Sequence, residues 1–74
     1  MRIKVFAGMK QFFSQKEEVE LPLKEPCSVG ELAEKLDLPE DLHFVVVRDG
    51  QSLGKDDLVS DNDRVSFVRF VSGG

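Results

Sequence analysis

Both ends of this chain alternate apolar with polar residues, and that pattern narrows the available folds more than any other feature. In "RIKVF" (2–6), Ile3 and Val5 fall on one face and Lys4 and Phe6 on the other. In "RVSFVRF" (64–70), Val65 and Phe67 share a face, with Ser66, Val68 and Phe70 opposite. A period of two is the mark of a strand. With 74 residues there is material for one small domain, which buries only about 60% of the surface its unfolded chain exposes. Six Phe plus the Val and Leu content suffice for one sheet packed on one helix, without a deep internal active site.

The helix is expected within "CSVGELAEKLDLP". Ser28 is placed to accept the N–H of Glu31 while Glu31 reaches back, a capping box. Val29, Leu32, Ala33 and Leu36 then line one apolar stripe. Gly30 weakens the first turn, and Pro39 closes the segment. Ahead of it, "EEVELPL" puts Val19, Leu21 and Leu23 at every second position and predicts a second strand, with Pro22 placing it at an edge. It forms a hairpin with the first strand across a loop that tucks Phe12 and Phe13 against the body. "HFVVVRDG" predicts a buried strand ending in the tight-turn pair Asp49-Gly50. "QSLGKDDLVSDND" is expected to be a connector anchored by Leu53 and Leu58, before the final strand.

Laid side by side, parallel and in mid-sheet, the first and last strands would share an outer face. One layer of helix covers only one side of a sheet. The other side is then expected to carry an exposed apolar patch of Phe6, Val68, Leu53 and Phe70, the kind of patch that marks a partner site on a small domain. Isolated surface apolars are also common, so the patch is a candidate interface and no more at this point.

The net charge of −4, with basic residues scattered, argues against nucleic acid, whose recognition relies on clustered Lys and Arg. A basic protein partner fits better. Cys27 is the only cysteine and His43 the only histidine. One thiol neither closes a disulfide nor holds a zinc or an iron–sulfur cluster, and both residues are expected to be structural. The apolar part of "MRIKVFAGMK" is too short for a signal peptide and no stretch is long enough to span a bilayer. The expected setting is the cytoplasm, with no membrane partner and no bound metal or cofactor.

The order strand, strand, helix, strand, loop, strand, followed by Ser72-Gly73-Gly74, resembles the ubiquitin-like β-grasp sulfur carriers of the MoaD/ThiS family. The resemblance lies in "IKVFAGMKQFF", "SVGELAEKL", "VVVRDG" and "DDLVSDNDRVSFVRFVSGG" and covers nearly the whole chain. The opening strand and turn look most like the small subunit of molybdopterin synthase. The chain departs from that subunit at Arg69 and Phe70, where prolines are usual, and at Asn62, where glycine is usual. The resemblance implies an α+β fold, a mixed sheet of four to five strands on one main helix. It implies a domain over 1–70 and a flexible tail over 71–74. Gly74 would be the modified residue, adenylated and then converted to a thiocarboxylate, with Gly73, Ser72 and Val71 threading into the partner.

No side chain of the carrier itself would be catalytic. The implied partners are a ubiquitin-activating-like adenylyltransferase that uses ATP, and a cysteine desulfurase or rhodanese-like sulfur donor. The acceptor would be the large subunit of molybdopterin synthase, or alternatively thiazole synthase. A protein modifier, a tRNA-thiolation carrier and a β-grasp interaction module with incidental glycines are the other readings open at this level.

Overall fold

The computed structural model describes residues 1–6 and 8–69. Phe70, Val71, Ser72, Gly73 and Gly74, named above as site residues, lie outside the described residues.

Among the described residues, seven strands and one α-helix follow in chain order. β1 (Arg2–Val5) is antiparallel to β2 (Glu18–Glu20), with Ile3 opposite Val19. A 3-10 turn at Lys10–Phe12 lies between them. β3 (Cys27–Ser28) leads into α1 (Val29–Lys35). β4 (Phe44–Arg48) and β5 (Gln51–Leu53) form a hairpin. β6 (Leu58–Val59) pairs with β3, and β7 (Arg64–Arg69) closes the sheet. The main sheet has the order β2-β1-β7-β4-β5, so the two alternating end segments are neighbours at its centre. β1 and β7 run parallel, Ile3 facing Val65 and Val5 facing Phe67. β4 is antiparallel to β7 on the other side, Val46 facing Phe67. A five-stranded mixed sheet over one helix is the β-grasp arrangement expected from the sequence.

The core follows from that alternation. Ile3, Val5, Val46, Val65 and Phe67 point to the helix side and are buried, with Leu32 and Val29 of α1 above them. Phe67 is fully buried between two other rings. It meets Phe13 edge-on at 5.6 Å and stacks on Phe44 at 5.4 Å, geometries that favour aromatic pairs. Phe13 is buried and Phe12 half-buried against the core, as the sequence predicts. Cys27 is buried packing, also as expected. His43 is exposed just ahead of β4, so the structural role expected of it is not seen.

α1 carries the full capping box. The Ser28 hydroxyl accepts the Glu31 N–H at 3.1 Å, and the Glu31 carboxylate accepts the Ser28 N–H at 3.1 Å. Those bonds hold the Glu31 carboxyl below its usual range, the Ser28 backbone N–H contributing most. The helix ends well before Pro39. Asp37 adopts a left-handed φ of 59°, and the Leu38 N–H bonds back to the Ala33 carbonyl at 3.1 Å, a Schellman-type stop. Gly30 has a use its poor propensity conceals: a Cβ there would sit 3.2 Å from Lys55 Cγ, so glycine lets the 54–57 loop close on the helix start.

Three expectations need correction. The strand expected over Val19, Leu21 and Leu23 stops at Glu20. The Leu21 N–H still reaches the Met1 carbonyl at 2.8 Å, but Pro22 has no N–H to continue the ladder. Leu23 is nonetheless buried, so the alternation served packing. Secondly, the supposed connector 51–63 contains β5 and β6. Within it Val59 is the fully buried anchor, whereas Leu58 is 61% exposed. Thirdly, Leu53 is not on the outer face. It pairs directly with the buried Val46 and packs against the core, since directly opposed residues in an antiparallel pair share a face. Its surroundings are a groove of about 570 Å³ between α1 and the β4–β5 hairpin, shared with Val29, Leu42 and Phe44.

Candidate partner-docking face

The outer face is built by the residues that alternate with the core set. β1 contributes Arg2 and Lys4, with Phe6 continuing the same alternation. β2 adds Glu18 and Glu20, opposite Lys4 and Arg2. β7 adds Arg64, Ser66 and Val68. β4 adds Val45 and Val47, opposite Val68 and Ser66.

These residues divide along the strands. At the starting ends of β1 and β7 the surface is charged. The Arg2 guanidinium bridges Glu18 at 3.1 Å and Glu20 at 3.3 Å. At the finishing ends it is apolar: Phe6 is 41% exposed and Val68 37%, with half-buried Val45 and Val47 beside them. The Phe6 N–H bonds to the Phe67 carbonyl at 3.2 Å, which fixes the ring next to β7, and Lys4 Nζ lies 5.4 Å from its centroid. Phe6 and Val68 are therefore brought together as predicted, while Leu53 is excluded. Val45 and Val47 were missed, because an unbroken "VVV" run does not show which members face outward.

The apolar end is also the end at which β7 reaches Arg69, the last described residue. The sheet delivers the chain there from its centre, with β1 bonded on one side and β4 on the other. At the opposite end of β7, two staples hold the segment that leads into it. Asp63 accepts the Ser60 N–H at 2.8 Å and pairs with Arg48 at 3.0 Å. Asp61 accepts the Leu23 N–H at 2.9 Å and the Met1 ammonium at 3.2 Å, and these, the Leu23 N–H first, lower its pKa. Among the described residues no group of three or more His, Cys, Asp or Glu is placed to hold a metal ion. Among them too, no helix is long and apolar enough to cross a membrane.

The sequence matches the ThiS family model over residues 3–74. The chain belongs to the ThiS family. It is thus a ubiquitin-like, sulfur-carrier-type protein, and small ThiS-family carriers are in general not enzymes themselves. Solved structures of similar shape agree on the fold. SAMP1 from Haloferax volcanii superposes with a TM-score of 0.70 at 20% identity, covering 100% of this chain and 98% of that one. The thiamine biosynthesis protein ThiS from Geobacter metallireducens gives 0.60 at 24% identity, covering 100% of both. No curated protein matches the sequence.

Proposed function

We propose that this ThiS-family chain carries sulfur as a thiocarboxylate on Gly74. The observation that supports the reading best is the extent of the family match, which runs through Gly73 and Gly74 to residue 74.

A carboxylate is a poor electrophile, so activation comes first. A Gly74 oxygen attacks the α-phosphorus of ATP in a partner adenylyltransferase, and pyrophosphate leaves. The outer sulfur of a persulfide on a desulfurase or rhodanese-like donor then attacks the acyl carbon, and AMP departs with the bonding electrons. A thiol reductant attacks the donor's cysteine sulfur in the resulting acyl disulfide, forms a disulfide with it, and leaves the outer sulfur on the carrier as the thiocarboxylate. The terminal sulfur is anionic and nucleophilic at neutral pH, and tethering it replaces a bimolecular search by positioning. Glycine suits both terminal positions: without a Cβ the backbone is thin enough for a narrow channel and reaches angles closed to other residues. Val71 and Ser72 would hydrogen-bond along the partner's groove as an added strand. Phe6, Val68, Val45 and Val47, with Phe70 beyond the described residues, would hold the body against the partner. ATP and reduced sulfur donors place this chemistry in the cytoplasm.

The acceptor we favour is a pterin, with this chain as small subunit of molybdopterin synthase, because "IKVFAGMKQFF" resembles that subunit's opening strand and turn. The likeness to a thiamine biosynthesis protein favours thiazole synthesis as the second reading.

The test is to incubate the protein with ATP, a sulfur source and adenylyltransferases from its own cell, then weigh it intact. One terminal oxygen is expected to be replaced by sulfur. Deleting Gly74, or Gly73→Val, is expected to abolish that change while the circular dichroism spectrum stays the same. A Gly73→Val protein charged at the normal rate would remove the threading argument. Presenting the charged carrier to each acceptor enzyme separates the two pathways by which product gains sulfur.

A further inference from the structure

Along the helix-side face of β7 the alternation runs Val65, Phe67, Arg69. The first two are buried, and the third position of a core-facing row is held by an exposed arginine. Arg69 lies opposite Phe44 in the β4 pairing, so its register is that of the core. Its side chain turns across the loop that follows β1. The guanidinium carbon stands 5.9 Å from the centre of the Phe12 ring, and Nη1 donates to the Gly8 carbonyl at 3.4 Å. Phe12 itself is held by the core below.

Gly8 is shaped for this contact in two independent ways. Its φ of +92° is a conformation that side-chain-bearing residues rarely adopt, and a Cβ there would lie 3.3 Å from Arg69 Cβ. The loop therefore approaches the last turn of β7 more closely than any other residue would allow. The arginine stem covers glycine, and its planar head rests on an aromatic face.

We propose that Arg69 is a positioning residue: clamped between Gly8 and Phe12, it fixes the direction in which the chain leaves β7 toward Gly74. This rests on the carrier reading above. With Arg69 held before docking, the partner starts from a fixed point at the end of β7, so the clamp speeds the step inside the complex and leaves the docking face alone. Phe6, Val45, Val47 and Val68 lie on the opposite face of the sheet from Arg69.

The experiment compares Arg69→Ala, Arg69→Lys, Phe12→Leu and the double variant Phe12→Leu/Arg69→Ala with the natural protein. Two quantities are read: the steady-state rate of thiocarboxylate formation by the adenylyltransferase, and the NMR shift of the Arg69 Nε–Hε proton in the free protein. Exposed cation–π contacts correspond to roughly a two- to fivefold change in rate. That loss is expected in kcat for Arg69→Ala and for Phe12→Leu, with KM for the carrier unchanged. The double variant is expected to be no slower than the slower single variant, since both remove one clamp. Arg69→Lys keeps the charge, loses the plane and stays slow. The Nε–Hε proton is expected to carry a ring-current shift that Phe12→Leu abolishes.

A change confined to KM, additive losses in the double variant, full activity of Arg69→Lys, or an Nε–Hε shift indifferent to Phe12→Leu would each overturn the clamp. If the natural protein takes up no sulfur at all, the carrier reading fails and this inference goes with it. If the natural protein is charged and every variant keeps pace, the clamp alone fails.

Discussion

The two ends of the outer sheet face share the central strands β1 and β7, with β2 added at one end and β4 at the other, and they are chemically opposite. Where β1 and β7 begin, Arg2, Glu18, Glu20, Lys4 and Arg64 form an exposed charged surface on which Arg2 pairs with both glutamates. Where those two strands finish, Phe6 and Val68, with Val45 and Val47 from the antiparallel β4 beside them, leave apolar surface in water. Folding does not explain the contrast, because neither end lies under the helix. Charge would keep the whole face soluble at little cost in stability, so the apolar end calls for a reason outside the domain. The partner proposed above, which would also receive the chain leaving β7, would supply one, since both needs converge on the same edge of the molecule.

Substitutions at the core, the apolar end and the charged end measure how far that contrast holds. The largest effect is expected from Phe67→Ala on the helix side. It empties the fully buried centre of the aromatic set and should cost about 3–5 kcal/mol in urea unfolding. A loss below about 1 kcal/mol would mean that the core is not organised around that ring. Next comes the apolar outer end. Phe6→Asp with Val68→Asp should weaken binding to the adenylyltransferase by about tenfold or more, while costing stability only about 1 kcal/mol per site. Unchanged affinity in a titration takes the patch out of the docking account.

Smaller still is Arg2→Ala at the charged end. It breaks two exposed ion pairs of roughly 0.2–1 kcal/mol each, and the loss should fade in high salt. Partner affinity is expected to stay put. A drop as large as that of the aspartate pair would erase the distinction between the ends. The smallest effect is pH-dependent and lies at the helix start. The Glu31 carboxyl titrates lower in the folded protein than in the unfolded chain, so its contribution is complete above the unfolded pKa and is lost as pH falls through the folded one. Glu31→Gln should lower stability slightly at neutral pH and flatten the loss in acid. Acid limbs of equal slope in the two proteins would show that the carboxylate plays no such part.

Much of this was visible in the sequence, for a definite reason. Five and six residues of near alternation at 2–6 and 64–69 carry enough information to assign both strands, their faces and, with one helix available, their place at the centre. Ser28 and Glu31 marked the helix start because capping is a local interaction. What failed was register in the middle of the chain. β5 and β6 are three and two residues long, too short to display a period. Leu53 was put on the wrong face, although a signal existed. A two-residue turn at Asp49-Gly50, both with positive φ, sets Arg48 opposite Gln51 and so Val46 opposite Leu53. The Arg69–Phe12–Gly8 contact left no trace in local pattern, since it joins segments from opposite ends of the domain.

The place of β7 between β1 and β4 has a mechanical consequence. Force drawn out through Arg69 runs along the strand axis and loads the hydrogen bonds to both neighbours in shear, all together, instead of peeling them one by one. A pull that would unzip an edge strand is therefore shared by the ladders that β7 makes with β1 and β4.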